Sequence, residues 1–474
     1  MFRQRLEQNL AELSRLLDQP GFGTGPLTIG AELELFLVDG SAQPLPLNEA
    51  VCAAAADPRI TVELDRFNLE LNSAPVPLAG HPFSGLGREL NVLLARAGEA
   101  CRAHQGQLAA IGVLPTLTPA HLDLAAVTDS NRYRALGRGL ARLRQGPIRI
   151  RIAGAEPLEL NSDQIALEGA NSSFQVHLRV DPADFARVYN AAQLAAAPVL
   201  AVAGNSPTFL GHQLWEETRV ALFKQSVEDR DRRNPRRPGR VMLGTGWLRD
   251  GALELFTESV RLYRPLLPYV SSAPAPDHDV PRLDELRLHH GTVWHWNRGI
   301  YDPAAGGHLR IEMRALPAGP TMTDMLANAA FLLGLTLSLA ERDPGWLQAF
   351  PFEHADHNFY RAAQHGLTAK LSWPSVRGDQ VRTVLAADLV TELLAAARDG
   401  LTGAGVAGAE ASQLLEVIAA RAATGQTGAA WQRAALATAG RDRTRQQALA
   451  AMLGGYLSRA AGGQPVHTWS PLPG

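Results

Sequence analysis

The first apolar residues of the chain recur at helical spacing. Leu6, Leu10, Leu13 and Leu17 lie three or four positions apart, so they would share one face of an amphipathic helix. Pro20 follows, together with glycines at positions 21, 23 and 25, and these residues predict the end of the helix.

Between residues 27 and 38 the pattern changes to alternation, which is typical of a strand with one buried face. Positions 31, 33, 35 and 37 are apolar, whereas Glu32 and Glu34 would both leave the opposite face of the strand. The sequence therefore predicts a strand that carries two neighbouring carboxylates on one side.

The rest of the chain mixes strands and helices without a regular order. Further strands are predicted at 60–75, 148–152, near 158, and at 173–180, 292–296 and 308–315. A helix is predicted at 85–105, and from about residue 370 the chain is Ala-rich and helical. Because strands and helices do not alternate, the pattern favours an α+β fold with a largely antiparallel sheet.

Composition restricts the partners and the compartment. Among 474 residues, 45 Lys and Arg balance 47 Asp and Glu, so no global basic field indicates nucleic acid or an anionic membrane. Two cysteines cannot form a disulfide framework, which favours a reducing compartment. The first residues lack the apolar segment of a signal peptide, and the apolar stretch 325–340 is too short for a bilayer span. We therefore expect a cytoplasmic protein.

Carboxylates recur among apolar neighbours in three predicted strands. Besides Glu32 and Glu34, Glu63 and Glu70 occur in VELDRFNLELN, and Glu312 occurs in RIEMR. One such strand is compatible with a solvated sheet face, but the recurrence favours a shared polar cavity. Adjacent carboxylates repel one another unless a cation lies between them, and oxygen ligands of this kind suit Mg²⁺ or Mn²⁺.

Arg314 would share a strand face with Glu312, two residues earlier in the chain. An arginine beside metal-binding carboxylates suits phosphoryl transfer, because the guanidinium can bind phosphate oxygens that the metal does not. The alternative is a structural salt bridge between Glu312 and a neighbour.

Five stretches in this order resemble the glutamate–cysteine ligase and carboxylate–amine ligase family, which is related to glutamine synthetase, over residues 28–372. They are IGAELELFLVD, VELDRFNLELNSAP, SSFQVHLRV, TVWHWNRGIYDPAAGGHLRIEMRALP and NFYRAAQHGLTAKL.

This resemblance implies an antiparallel sheet curved into a funnel and flanked by helices. It also implies a ligase-like catalytic domain at 1–370, followed by an Ala-rich helical region at 371–474. Such an enzyme uses ATP and Mg²⁺ or Mn²⁺ to turn a carboxylate into an acyl phosphate, which an amine then captures. The expected partners are a glutamate-like donor and an amine acceptor such as cysteine, and a homodimer is a further expectation.

The resemblance also assigns roles to individual positions. The expected metal ligands are Glu32, Glu34, Glu63, Glu70, Gln175 and Glu312. The expected nucleotide contacts are His177, Arg298 and Arg314, and the catalytic pair is Glu312 and Arg314. The expected substrate contacts are Arg132, Arg219 and Arg361. Asp65 is an alternative to Glu63.

Two departures from the family pattern affect these expectations. Relatives commonly have His-x-His where this chain has Gln175, Val176 and His177, and a neutral amide oxygen is a weaker metal ligand than imidazole. The stretch EMRALPAGPT also lacks the acidic residue that often follows the arginine. Two rival hypotheses therefore stand beside the ligase: a ligase-fold protein that binds ligands without catalysis, and a metal-dependent hydrolase that uses the same carboxylates.

Two other features have less specific interpretations. His289, His290 and His295 could form a transition-metal site, but aromatic packing in a hairpin is the simpler interpretation. The basic run 230–240 could be a lid over nucleotide phosphates or a solvated loop.

Overall fold

A computed structural model describes residues 1–230, 237–272, 280–342, 347, 349–375 and 380–473. The described strands are, in chain order, β1 (Thr28–Asp39), β2 (Ile60–Val62), β3 (Asn68–Asn72), β4 (Val76–Pro77), β5 (Gly106–Ala109), β6 (Ile148–Ile152), β7 (Leu158–Ser162), β8 (Phe174–Val180), β9 (Thr208–Phe209), β10 (His212–Gln213), β11 (Asn297–Asp302), β12 (His308–Met313), β13 (Lys370–Pro374) and β14 (Val381–Leu385).

The described α-helices are α1 (Phe2–Leu17), α2 (Asn48–Ala55), α3 (Pro82–Ala103), α4 (Asn131–Arg144), α5 (Ala166–Gly169), α6 (Phe185–Ala203), α7 (Thr218–Ser226), α8 (Leu253–Leu262), α9 (Asp284–His290), α10 (Met322–Ala340), α11 (Phe352–His365), α12 (Ala386–Gly403), α13 (Gly408–Thr424), α14 (Gly428–Ala439) and α15 (Arg445–Ala461). Short 3-10 helices occur at Pro119–His121, Leu124–Ala126, Pro182–Asp184, Ala304–Gly306, Gly366–Thr368 and Val466–Thr468.

The main sheet has the strand order β11-β12-β8-β1-β3-β2, and β4 and β5 also pair with β1. Each of these pairings is antiparallel. The predicted α+β class with a curved, mainly antiparallel sheet flanked by helices is thus confirmed.

Strand β1 lies inside this sheet and shows why its sequence alternates. Leu33, Leu35 and Leu37 are fully buried in the main core, where α3 packs against β1 and β3. Glu32 and Glu34, on the other face, are only partly buried. The apolar face of the sheet therefore anchors the strand, and the polar face remains available for chemistry.

Two predicted strands differ from the structure. The stretch 60–75 forms two antiparallel strands, β2 and β3, because the chain reverses direction between Val62 and Asn68 and pairs Ile60 with Leu71. The strand predicted at 292–296 begins later, at Asn297. Residues 292–296 instead connect the end of α9 to β11. The Trp296 amide donates to the carbonyl of Met242, which is not part of the sheet.

Helix α10 contains the apolar stretch 325–340, which was predicted not to span a membrane. Among the described helices it alone is long and apolar enough to cross a membrane, but 78% of that window is buried inside the protein. It packs against α6, α12 and α13. Its polar residue Asn328 is fully buried and accepts a hydrogen bond of 2.6 Å from Arg421.

The helices beyond residue 370 contribute to the same cores as the earlier part of the chain. Helix α12 packs extensively on α10, and Arg421 of α13 forms a buried ion pair of 2.7 Å with Asp324 of α10. The expected boundary at residue 370 coincides with the first residue of β13. The division into a catalytic domain and a helical region stays a prediction.

Candidate active site

The register of the sheet brings the polar side chains of four strands together. Glu34 lies opposite Glu70, Glu32 opposite Gln175, and Glu312 opposite His177. Because residues opposite one another in neighbouring strands leave the same face, these side chains form one continuous polar surface. The expectation of a shared polar cavity, rather than separate solvated strands, agrees with this geometry.

This surface is the wall of a cavity of about 610 Å³, which we call the acidic cavity. Its ionisable lining residues are Glu32, Glu34, Glu63, Glu70, Arg132, Tyr133, Glu168, Arg287, His290, Arg298, Tyr301, Arg310, Glu312 and Arg314. The cavity has two chemically different parts. The arginine side comprises Arg298, Arg310, Glu312 and Arg314, and the acidic side comprises Glu34, Glu63, Glu70 and Glu168.

On the arginine side, Glu312 is held between two guanidinium groups. Arg298 binds both of its carboxylate oxygens, at 2.8 and 3.0 Å, and Arg314 Nη1 lies 2.9 Å from Oε2. Burial alone would raise the pKa of Glu312, but Arg298 and Arg314 outweigh that effect and hold its pKa well below the usual range. This carboxylate is therefore ionised at physiological pH.

Gln175 connects the two sides through its amide group. Its Nε2 donates to Glu34 Oε1 at 2.7 Å, and its oxygen accepts from Arg314 Nη1. Glu34 also accepts a bond of 2.7 Å from the Ser173 amide. In this arrangement the amide oxygen expected to bind a metal is instead bound to a protein cation.

His177 lies beneath the cavity wall, between Glu32 and Arg310. Its Nδ1 accepts a hydrogen bond of 3.1 Å from Arg310 Nε, so a neutral imidazole carries its proton on Nε2. That nitrogen is 3.1 Å from Glu32 Oε1 and 4.0 Å from Glu312 Oε1. Burial would raise the pKa of Glu32, but its neighbour His177 lowers it overall.

On the acidic side, carboxylates face one another with few cations between them. Burial, assisted by repulsion from Glu34 and Glu168, raises the pKa of Glu63 to about 8. Burial and Glu34 raise the pKa of Glu168 to about 7, and burial with three neighbouring glutamates raises that of Glu70 well above its usual value. The side chain of Glu63 accepts a hydrogen bond only from the adjacent Leu64 amide among the described residues.

These carboxylates fit a hard divalent cation. Crowded, partly buried carboxylate oxygens with raised pKa values are the groups that a cation would stabilise in their ionised form. Ligand atoms of Glu32, His177 and Glu312 also lie within 4.8 Å of one another, the one such group of His, Cys, Asp and Glu found in the described part of the chain. The donor set thus suits Mg²⁺ or Mn²⁺ better than a thiophilic metal.

The three arginines expected to bind substrate lie in different environments. Arg132 lines the acidic cavity and is exposed. Arg219 is 3% exposed and lies outside the cavity lining, where it bonds Glu217 and the carbonyls of residues 314 and 315. Arg361, on α11, is also outside the lining. The contacts of Arg219 hold the end of β12 in place, and the substrate roles of all three stay predictions.

Three charged residues of the cavity lining were missed in the sequence: Glu168, Arg287 and Arg310. Arg310 could have been found, because it alternates with Glu312 on β12 and with Arg314 just beyond that strand. Glu168 could not, since it lies on the short helix α5, far in sequence from the acidic strands.

Asp65, the alternative to Glu63, lies outside the lining. It is fully buried, with neither carboxylate oxygen hydrogen-bonded, and a Cβ at Gly169 would lie 2.4 Å from its Oδ2. Burial and repulsion from Glu168 and Glu63 raise its pKa well above the usual value. Asp65 therefore fits a protonated carboxyl behind the cavity wall.

The histidines that could have formed a second metal site have separate partners. His289 Nε2 is 2.7 Å from the Ser259 carbonyl, His290 Nε2 is 2.8 Å from the Gly299 carbonyl, and His295 lies 3.1 Å from the Tyr263 hydroxyl. The predicted aromatic packing is present, since the three rings lie against Phe2, Phe256 and Tyr263. The predicted hairpin is wrong at this point, because His289 and His290 lie on α9 and His295 precedes β11. Of the basic run 230–240, residues 231–236 lie outside the described residues, so the lid hypothesis stays a prediction.

Comparison with known proteins supports the resemblance seen in the motifs. A family model described as glutamate–cysteine ligase family 2 matches residues 28–451. A putative glutamate–cysteine ligase 2-2 of Mycolicibacterium vanbaalenii is 40% identical over 114 residues, which are 23% of this chain and 29% of that protein. The match thus spans less than a third of the relative's length.

Solved structures share the fold over nearly the whole chain. The glutamate–cysteine ligase of Francisella tularensis in complex with AMP has a TM-score of 0.56 at 12% identity, with 95% of this chain and 96% of that chain covered. A bifunctional glutathione synthetase from Pasteurella multocida has a TM-score of 0.50 at 11% identity, with 96% and 55% covered. At these identities the similarity concerns the fold alone.

Proposed function

Because the chain belongs to glutamate–cysteine ligase family 2, a family of carbon–nitrogen ligases, we propose that it is an ATP-dependent carboxylate–amine ligase. In the proposed reaction a donor carboxylate attacks the γ-phosphorus of ATP, ADP leaves, and an acyl phosphate forms. An amine then attacks the acyl carbon, inorganic phosphate leaves, and the amine nitrogen loses a proton. The proposed donor is glutamate or a similar amino acid, and the proposed acceptor is an amine such as cysteine.

The observation that carries this proposal is the junction of the two sides of the acidic cavity. Phosphoryl transfer requires positive charge around the phosphate oxygens, together with a cation that neutralises the nucleotide. Arg298 and Arg314 are both bound to Glu312, and both line the cavity. The acidic side, immediately adjacent across Gln175, supplies carboxylates for the cation.

The residues proposed to hold Mg²⁺ or Mn²⁺ are Glu32, Glu34, Glu63, Glu70 and Glu312. A divalent ion bound there would neutralise phosphate charge and polarise the transferred phosphoryl group. Because its Nδ1 accepts from Arg310, His177 presents an Nε2–H toward Glu32, which suits a contact with an anionic phosphate better than metal ligation. Arg132, the one expected substrate residue in the cavity lining, is proposed to bind the donor's α-carboxylate.

The test is ADP release from ATP and Mg²⁺ in the presence of pooled amino acids, followed by mass analysis of the products. Release that requires both a donor and an acceptor, with a product lighter by one water than their sum, supports the ligase. Release that requires a donor alone supports the acyl phosphate with a missing acceptor. Bound ATP without release favours the non-catalytic hypothesis based on Gln175, and phosphoester or amide hydrolysis without ATP favours the hydrolase.

A further inference from the structure

A second cavity, of about 860 Å³, adjoins the acidic cavity across helix α4. Arg132 and Leu136 of this helix line the acidic cavity, whereas Arg134 and Arg138 line the second one. Tyr133 belongs to both walls. The second cavity is therefore separate from the proposed active site but shares a helix with it.

The lining of the second cavity combines an apolar wall with arginines. The apolar and small residues are Leu124, Ala125, Val127, Gly137, Leu140, Ala141, Ile148 and Ile165. Arg66 and Arg138 make no side-chain hydrogen bond or ion pair with the described residues, while Arg134 is paired with Asp129. Together with Arg144, described next, Arg66 and Arg138 give the cavity three arginines whose positive charge is available to a ligand.

Arg144 gives the strongest indication of a ligand. Its side chain lines the cavity, although the residue is only 9% exposed. Its Nε donates to the Gly146 carbonyl at 2.7 Å, but the buried Nη1 has no hydrogen-bond partner among the described residues. The acidic residues that act on it are Asp163, Asp229 and Glu228, and none of them forms an ion pair with it.

A buried guanidinium without a counter-ion is costly, because its lost hydration is not replaced by protein partners. The lining contains three carboxylates. Asp129 is paired with Arg134, whereas Glu49 and Asp163 are exposed to solvent and form no ion pair with Arg144 that would replace its lost hydration. An anion entering the cavity would compensate the charge of Arg144, and the apolar wall would accommodate a hydrophobic group attached to it.

We propose that this cavity binds a small anion, a carboxylate or a phosphate carried on an apolar body, with Arg144 as the buried anchor. Arg66 and Arg138 bind the same anionic group from the more exposed part of the cavity. The proposal rests on the lining of the second cavity and does not depend on the activity proposed for the acidic cavity.

Isothermal titration with two probes tests the proposal and separates the two sources of the anion. Octanoate represents a carboxylate on an aliphatic body, and phenyl phosphate, which lacks the nucleoside expected to bind in the acidic cavity, represents a phosphate on an aromatic one. Phenol and octanol are the matched neutral probes. Each probe is titrated, in a buffer with EDTA, into four forms of the full chain. These are the wild type, Arg144→Gln, the double variant Arg66→Gln/Arg138→Gln, and Arg149→Gln. Arg149 is exposed, lies outside the lining and makes no side-chain bond in the described structure, so its variant controls for net charge.

The expected result is binding of one octanoate or one phenyl phosphate per chain, weakened about tenfold or more in both cavity variants and unchanged in Arg149→Gln. The probe that shows this pattern identifies the carboxylate or the phosphate source. Thermal melts establish whether each variant is folded. If Arg144→Gln does not fold, the double variant alone tests whether the arginines of the cavity bind the anion. The proposal is overturned if neither probe binds, or if binding is equal in wild type and in the folded cavity variants.

Discussion

The two sides of the acidic cavity contain the same kind of residue in opposite electrostatic states. Glu312, on the arginine side, is bound by two guanidinium groups that hold its pKa well below the usual range. Glu63, on the acidic side, is partly buried near other carboxylates, and its pKa rises to about 8. Both line the acidic cavity, Glu312 from β12 and Glu63 from the residue that directly follows β2.

This difference shows that neighbours, rather than residue type, decide what a glutamate can do. On the arginine side, two guanidinium groups of the protein already balance the charge of Glu312. On the acidic side the described cations, such as Arg132, are too few to offset burial and repulsion, so full ionisation depends on a bound ion. Removing a carboxylate should therefore have opposite effects on the stability of the protein at the two sides.

The largest effect is expected from Glu312→Gln. Without its charge, Arg298 and Arg314 lose the group that fixes them, so ADP release should fall by about a hundredfold or more. Breaking a buried ion pair also costs about 3–5 kcal/mol of unfolding free energy. Steady-state kinetics and denaturant unfolding measure both changes, and Glu99→Gln, at an exposed position without side-chain bonds, is the control. Normal ADP release by the variant would remove Glu312 from the site.

The next largest effect is on the pH dependence of stability in the absence of divalent cations. The folded-state pKa values of Glu63 and Glu168 are raised to about 8 and about 7 from a usual value of 4.5. Between pH 4.5 and 8 the folded state therefore binds more protons than the unfolded state, and stability falls as pH rises. Thermal melts in EDTA should show a decline across this range that Mg²⁺ reduces. A melting temperature that rises with pH would contradict the assignment.

A smaller effect is expected from Gln175→His, which changes the junction between the two sides. An imidazole there offers a stronger ligand than the amide oxygen now bound to Arg314, so Mn²⁺ affinity should rise about tenfold. Electron paramagnetic resonance of free Mn²⁺ measures this change without reference to activity. Gln175→Leu, which removes the amide bridge and adds no ligand, should not tighten binding. Equal affinity in wild type and Gln175→His would show that position 175 does not contact the ion.

The smallest effect is expected from Glu168→Gln, which removes one of the repelling carboxylates. At pH 8 without divalent cations the variant should be more stable than wild type by about 1 kcal/mol, since a neutral amide relieves repulsion from Glu34. Unfolding with and without Mg²⁺ measures the change. A loss of stability similar to that of Glu312→Gln would mean that the two sides do not differ as inferred.

The local sequence was sufficient to predict which side chains share one face of a strand. Alternation around Glu32 and Glu34 placed both carboxylates on the polar face of β1, and the two-residue spacing placed Arg314, just beyond the end of β12, beside Glu312. These inferences succeed because side-chain direction in a strand repeats every two residues regardless of what the strand packs against. The motifs that carried the family resemblance are likewise local, and the family is confirmed.

Only the tertiary structure decided which distant groups meet. The sequence could not place Glu168 of α5 in the cavity or Arg219 outside its lining. Nor could it show that Gln175 bonds both Glu34 and Arg314. Each of these contacts depends on how separate elements pack, and so does the ionisation of each carboxylate. The sequence by itself determined that this protein carries a sheet lined with carboxylates, whereas burial and neighbouring cations, which exist only after folding, decided which carboxylates are paired and which require an ion.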